Sequence, residues 1–190
     1  MTIHEKGRVT DAFGANGFER DGDAFRLTTT AFGARVAIDG DGSTSGGDGP
    51  VTDDGSGPTR YRLTVRVPTL DAAAEEAVAE PVAEGWFETL TLRLEDAPDV
   101  TRADIDVSEP TVRRTGEAVV VGFAVEHSTP TRAAAAAKAL AEYVEGTYVE
   151  GVVPGYTYGP PVAGLLSRAR GRGDGSSDVD GDGERGAMPL

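Results

Sequence analysis

The segment 178–184 carries acidic residues at every second position, a spacing that invites comparison with calcium-binding loops. An EF-hand loop places acids at its first, third and fifth positions, a glycine at its sixth and a bidentate Glu at its twelfth. Counting from Asp178, the sixth position is Gly183, but the twelfth is Pro189, which has no carboxylate. We therefore interpret this segment as a solvated acidic stretch and predict no metal site in it.

Cysteine and histidine, which often supply nucleophiles and metal ligands, are nearly absent. The sequence has no Cys and only two His, His4 and His127. His127 precedes Ser128, but no Gly-x-Ser-x-Gly turn surrounds that serine, and adjacency alone does not make a catalytic pair. Walker-type and dinucleotide-binding glycine motifs are also missing. The sequence predicts no catalytic residue, no metal site and no cofactor, and we do not expect an enzyme.

Arginines recur on one side of a strongly alternating segment, at Arg60, Arg62 and Arg66. Such a stripe could contact an anion or an RNA across the face of a sheet. Alternatively, it could pair with acids such as Glu88 or Glu95 on neighbouring strands. We favour pairing because acidic side chains outnumber basic ones by 32 to 18.

Tyrosines cluster near the end of the apolar part of the chain, where four of the 5 tyrosines fall within residues 143–158. Tyr156 and Tyr158 lie in a turn-rich loop between prolines, and Leu165 follows in a short predicted helix, 162–170. Tyrosine offers a large amphipathic contact area at little entropic cost, which suits interfaces. We predict an interaction surface at Tyr156, Tyr158 and Leu165; the alternative is that the two rings pack the loop onto the sheet.

Strands and helices that would position these residues follow from hydrophobic periodicity. Apolar and polar residues alternate strictly over 60–67, which predicts a half-buried strand. The segment 118–126 is apolar on both faces, which is typical of a central strand or one covered on both sides. Helices are predicted near the N-terminus, over 71–84 with Asp71 as the cap, and after Ser128 and Thr129. The last of these helices has an apolar stripe, namely Ala133, Ala137, Leu140 and Val144.

Further strands are predicted over 18–27 as a hairpin, over 32–38, over 87–95 and in a second hairpin that begins near Ile105. Consecutive hairpins without βαβ units indicate an α+β fold with a mainly antiparallel sheet and helices packed on it. We predict one domain, residues 1–170. Two glycine-rich acidic segments, an insert at 39–58 and a tail at 171–190, are expected to be disordered because they contain too few apolar residues to offset the entropy of ordering.

The formal net charge of −14 is the most informative bulk property of the sequence. An acidic surface repels nucleic acids and anionic membranes, so neither is expected as a partner. Only Lys6 and Lys138 are lysines, and abundant carboxylates with little Lys suit a protein that must stay hydrated in molar salt. No apolar run is long enough to span a membrane and no signal peptide is recognisable, so we expect a cytoplasmic location.

The whole ordered region resembles a haloarchaeal family of unknown function, through the segment 17–23, the pair Trp86 and Phe87, and the tyrosine loop 154–158. This resemblance implies no activity and no site residues. The predicted element order is also similar to the type III secretion chaperone-like fold, including YbjN-type regulators, and that likeness implies a dimeric protein-binding module. The material between Ala97 and Thr115 and the tyrosine loop depart from that fold.

Together these observations favour a salt-adapted domain that binds a protein partner or a second copy of itself. Two alternatives remain open at the level of sequence. The first is a small-molecule binding domain that uses a concave sheet face near the tyrosine loop. The second is an enzyme whose carboxylates, for example Glu88 or Glu126, form a site without a recognisable motif.

Overall fold

The computed structural model describes residues 3–39, 58–102 and 104–174. The predicted tail 171–190 lies mostly outside the described residues, as does the insert 39–58, of which only the two end residues are described. In chain order the elements are α1 (Ile3–Gly14), β1 (Phe18–Asp21), β2 (Ala24–Leu27), β3 (Gly33–Ile38), β4 (Thr59–Pro68), α2 (Leu70–Ala73), α3 (Glu80–Leu94), a 3₁₀ turn (Ala97–Val100), β5 (Asp106–Val107), β6 (Thr111–Thr115), β7 (Ala118–His127), α4 (Pro130–Glu150) and α5 (Val162–Asp174).

The strands form a single seven-stranded sheet in the order β1-β2-β3-β4-β7-β5, with β6 also paired to β7. Every pairing is antiparallel, so the predicted α+β class is confirmed. Strand β7 lies between β4 on one side and β5 and β6 on the other. Its apolar residues on both faces reflect this internal position, as predicted.

One face of the sheet forms the floor of the hydrophobic core. Leu63 of β4 lies opposite Val36 on one neighbouring strand and Phe123 on the other, and all three are buried. Residues directly opposite each other in a ladder share a face. The predicted alternation along β4 is confirmed, because Tyr61, Leu63, Val65 and Val67 are at most 1 % exposed.

The helices pack against this same face. Phe13 of α1 stacks on Phe25 of β2 at 4.5 Å between ring centroids, and the predicted apolar stripe of α4 is fully buried. Helix α4 begins with Pro130, as expected, but the Thr129 hydroxyl does not cap it. Instead, the Thr129 N–H donates to His127 Nδ1 at 2.8 Å. Within the described ranges no helix combines the length and apolarity needed to cross a membrane.

The strand predicted over 87–95 is wrong, because this segment belongs to helix α3. Trp86, Leu90 and Leu94 recur every fourth residue and are buried, whereas Leu92, between two of them, is 64 % exposed. A strand would have placed Leu92 on the same face as its apolar neighbours at every second position. Residues spaced four apart share one face of a helix, and this buried face of α3 packs onto α4.

The helix predicted over 71–84 is also wrong in extent. Helix α2 ends at Ala73 and is capped by Thr69, whose hydroxyl accepts from the Ala72 N–H at 3.3 Å, rather than by Asp71. Pro81 lies in the first turn of α3 and so starts a helix instead of interrupting one. Proline is favoured there because the first helical N–H groups have no intrahelical partner.

Candidate functional site

Tyr158 anchors the tyrosine loop to the body of the domain. Its side chain is only 8 % exposed, and its hydroxyl donates to the Val153 carbonyl at 2.7 Å. Its backbone forms an isolated antiparallel bridge with Ala74, just after α2. Burial raises the pKa of the Tyr158 hydroxyl above its ordinary value.

The other two residues of the predicted interaction surface have different environments. Leu165 is 6 % exposed and belongs to the core, on the inner side of α5. Tyr156 is half-buried, so it is the one member of the three that retains substantial access to solvent. A partner at this loop would therefore contact Tyr156 directly, and the interaction surface there stays a prediction.

Glu76 holds the loop from outside. Both of its carboxylate oxygens accept from the Thr157 N–H, at 2.9 and 3.3 Å. In return, the Thr157 carbonyl accepts from the Glu75 N–H at 2.9 Å. Hydrogen bonds from Thr157 lower the pKa of the Glu76 carboxyl below its ordinary value, so the contact favours the ionised form.

A buried aromatic pair lies beneath the loop, where α3 meets α4. Trp86 and Tyr148 form an edge-to-face contact with ring centroids 5.5 Å apart. The Trp86 Nε1 and the Tyr148 hydroxyl are buried, and neither has a hydrogen-bond partner among the described residues. Burial strongly raises the pKa of the Tyr148 hydroxyl. The pair is therefore part of the packed core.

The carboxylates considered for an unrecognised enzyme site are not brought together. Glu88 is exposed on α3, in the helix layer. Glu126 lies on the opposite face of the sheet, where it pairs with Arg60 at 2.6 Å. The described part of the chain also contains no group of three or more His, Cys, Asp or Glu side chains that could hold a metal ion.

The sheet face opposite the helices carries a group of arginines that we call the arginine face. The cross-strand register places Arg26 and Arg35 side by side, followed by Thr64 on β4. Likewise, Arg66 and Arg113 both lie opposite Val120, one on each side of β7. The arginine face comprises six exposed residues, Arg26, Arg35, Arg60, Arg62, Arg66 and Arg113.

Four of these arginines are paired with acids on the same face. Arg60 contacts Glu126, its direct cross-strand neighbour, and Arg62 contacts Asp39 at 2.9 Å. Arg26–Glu19 and Arg35–Asp21 each measure 3.1 Å. Pairing with acids was expected for Arg60, Arg62 and Arg66. It is found for the first two but is wrong for Arg66, which pairs with no described acid, and the partners suggested from sequence, Glu88 and Glu95, are also wrong. Glu88 lies in α3 and Glu95 directly follows it, in the other layer.

Arg66 and Arg113 differ from the other four. Neither forms an ion pair with any described residue, and Val120 lies between them on β7. The next row of the ladder consists of Thr64, Gly122 and Thr111, all small. The centre of the arginine face therefore carries small side chains and Val120, which is 8 % exposed, between the two arginines.

The sequence analysis identified three of the six arginines of this face and missed the other three. Arg35 and Arg113 also alternate with apolar or half-buried residues in short strands, and this alternation was the available signal. Only the strand order shows that these segments adjoin β4 and β7 on the same side.

Comparison with models of known protein families gives a match. The model of a family described as a family of unknown function, DUF5813, matches residues 11–168. No curated protein and no solved structure matches the chain.

Proposed function

Because the chain belongs to this family of unknown function, which brings no assigned activity, we propose from its geometry that it is a non-enzymatic protein-binding domain. The proposed contact surface is the arginine face. The proposed partner is a different protein that presents carboxylates to this face. A contact of this kind requires no catalytic group in the chain.

The observation that carries the proposal is the pair Arg66 and Arg113, exposed on both sides of Val120 without an acidic partner among the described residues. A guanidinium group can bind a carboxylate through two parallel hydrogen bonds. Arginine is also enriched in protein interfaces. In a chain with a net charge of −14, two exposed arginines without acidic partners favour an acidic protein surface.

Other occupants of this face are less favoured on electrostatic grounds. A second copy stacked face to face would oppose arginines with arginines. Binding of a nucleic acid depends largely on phosphate contacts, and its affinity falls steeply as the salt concentration rises, so it is disfavoured in molar KCl. We therefore place self-association and nucleic-acid binding among the outcomes of the test.

The test is capture of a partner by tagged full-length protein in molar KCl, from a lysate of the source cells. At that salt concentration screening leaves electrostatic attraction only about 3 Å of range, so retention reports direct contact. The variant Arg66→Glu/Arg113→Glu removes both unpaired cations. We expect it to weaken binding of the purified partner at least about tenfold, since charged hydrogen bonds contribute about 1.5–3 kcal/mol.

The matched control is Arg168→Glu/Arg170→Glu, which makes the same change of charge at two exposed positions of α5. We expect the control to bind like the wild type. Equal loss in both variants, or full retention in the face variant, would contradict the proposal. Bait recovered alone at monomer mass, a captured second copy or a captured nucleic acid would contradict it as well.

A third variant, Tyr156→Ala, tests the tyrosine loop separately. Partner loss confined to this variant would move the binding surface from the arginine face to the loop. The small-molecule alternative near the loop has weaker support, because Tyr158 occupies the interior there and its hydroxyl is bonded to Val153. The likeness to the chaperone-like fold implies the same class of function and stays a prediction.

We also infer that the domain works in molar salt, as in a haloarchaeal cytoplasm. The support is compositional: 32 acidic side chains against 18 basic ones, of which only Lys6 and Lys138 are lysines. Under such conditions long-range attraction is suppressed, so the contacts proposed above must be direct.

A further inference from the structure

A pocket of about 340 Å³ lies beside the first turns of α4, away from the arginine face and the tyrosine loop. One wall is α4 itself, and the other is the segment between the 3₁₀ turn and β5. The volume falls at the lower end of the range found for small-molecule sites, about 300–1,000 Å³.

Apart from the arginines, most side chains that line this pocket are apolar, and Thr101 and Thr131 add hydroxyl groups. Ala135 and Ala139 line it from α4, and Val100 and Ile105 line it from the opposite wall. The two alanines are one turn apart, so their small side chains leave a recess along one side of the helix. Val100 is 40 % exposed and, with Leu92, is one of two exposed large hydrophobic residues in the described part of the chain. A ligand with an apolar body would cover it.

The mouth of the pocket is positively charged. Arg102 and Arg132 both line it. Arg132 forms an ion pair with Asp104, whereas Arg102 pairs with no acid in the described ranges. Two guanidinium groups and one carboxylate leave a formal charge of +1. The N-terminal end of the 21-residue helix α4 adds partial positive charge at the same end.

We propose that this pocket binds a small monocarboxylate with an apolar body. The carboxylate contacts Arg102 at the mouth, and the apolar part lies between Ala139 and Val100. This site is separate from the arginine face and does not depend on the protein-binding role proposed above. It also differs in position from the concave site near the tyrosine loop that the sequence suggested.

The probe is 3-phenylpropionate, titrated into the ¹⁵N-labelled full-length chain at the lowest KCl concentration at which the chain is folded. We expect saturable shifts of amide signals from α4 and from the segment around Ile105. A ligand of this size should bind with a Kd of about 5 mM or tighter. The uncharged analogue 3-phenylpropanol should bind at least about tenfold more weakly, because it lacks the carboxylate.

Two variants test the two halves of the site. Arg102→Gln removes the free cation, and Ala139→Leu fills the apolar recess. Each should weaken binding at least about tenfold while circular dichroism and the melting temperature show a folded chain. The matched controls are Arg168→Gln and Ala169→Leu, at exposed positions of α5 that do not line the pocket. Both controls should bind 3-phenylpropionate like the wild type.

Several results would overturn the proposal. Absence of saturable binding would exclude the site for this ligand class. Equal binding of acid and alcohol would exclude the role of Arg102. Shifts in another part of the molecule, or unchanged binding in both pocket variants, would place the ligand elsewhere.

Discussion

At the scale of single residues, the tyrosines near the end of α4 have contrasting hydroxyl environments. The Tyr158 hydroxyl donates to a carbonyl, whereas the Tyr148 hydroxyl is buried without a partner among the described residues. An unsatisfied buried polar group lowers stability, and a satisfied one contributes about 0.5–1.5 kcal/mol. Loss of the hydroxyl should therefore lower stability at Tyr158 and leave it unchanged or slightly raise it at Tyr148.

We predict that Tyr148→Phe leaves the free energy of unfolding at pH 7 unchanged or slightly raised. Tyr158→Phe should lower it by about 0.5–1.5 kcal/mol, because the bond to Val153 is lost. Urea denaturation of both variants beside the wild type measures this difference. A larger loss in Tyr148→Phe than in Tyr158→Phe would contradict the assigned environments.

The same two groups predict a pH dependence. Burial raises the pKa of both Tyr148 and Tyr158 above the ordinary value of 10.0. Above pH 10 the unfolded chain loses these protons before the folded chain does. The two tyrosines therefore leave the free energy of unfolding unchanged below pH 10 and lower it as the pH rises above 10. Tyr148→Phe should reduce the loss of stability between pH 9 and 11, and an unchanged slope would contradict it.

At the scale of elements, α3 is the clearest case in which the pattern of residues allowed two structures. Trp86, Leu90 and Leu94 fit a period of two as well as a spacing of four. Leu92 alone completes the strand pattern, and it is an exposed hydrophobic side chain on the outside of a helix. Exposed leucines are common on protein surfaces, so Leu92 did not exclude the helix.

Substitutions in α3 test this assignment. Leu90→Ala should lower the free energy of unfolding by about 2–5 kcal/mol, because a buried side chain leaves a cavity. Leu92→Ala should change it by no more than about 0.5 kcal/mol, since its side chain is mostly in solvent. Chemical denaturation of both variants makes the comparison, and similar losses at the two positions would favour the strand.

At the scale of the whole molecule, the excess of acidic side chains is the main electrostatic influence on stability. The net charge is −14, whereas most of the ion pairs in the described part of the chain are exposed and stabilise the fold only slightly. Salt screens both the repulsion among acids and the attraction within these pairs. Because acids are in large excess, relief of repulsion should exceed the weakening of the pairs.

We therefore predict that the melting temperature of the full-length chain rises between 0.1 M and 2 M KCl. Differential scanning calorimetry at constant pH measures it. The control is a variant in which the exposed acids Glu95 and Asp99 are changed to Gln and Asn. Its melting temperature should rise less over the same range of KCl. A flat or falling melting temperature would contradict the inferred adaptation to salt.

Strict alternation in the sequence was enough to determine several elements. The apolar residues of β4 can face a core only in a strand, and the two apolar faces of β7 require an internal position. Hairpins in succession likewise predicted an antiparallel sheet. These features depend on local periodicity, which a chain carries in its own residues.

Only the tertiary structure decided which groups share a surface. Arg66 and Arg113 lie on either side of Val120, although 46 positions separate them in the sequence, because β4 and β6 both pair with β7. The apolar recess beside α4 likewise needs residues from two distant segments. Tyr158 and Leu165 were predicted at a surface, but their burial depends on how the loop and α5 pack. Periodicity describes one element at a time, whereas a site depends on which elements meet, and long-range packing alone determines that.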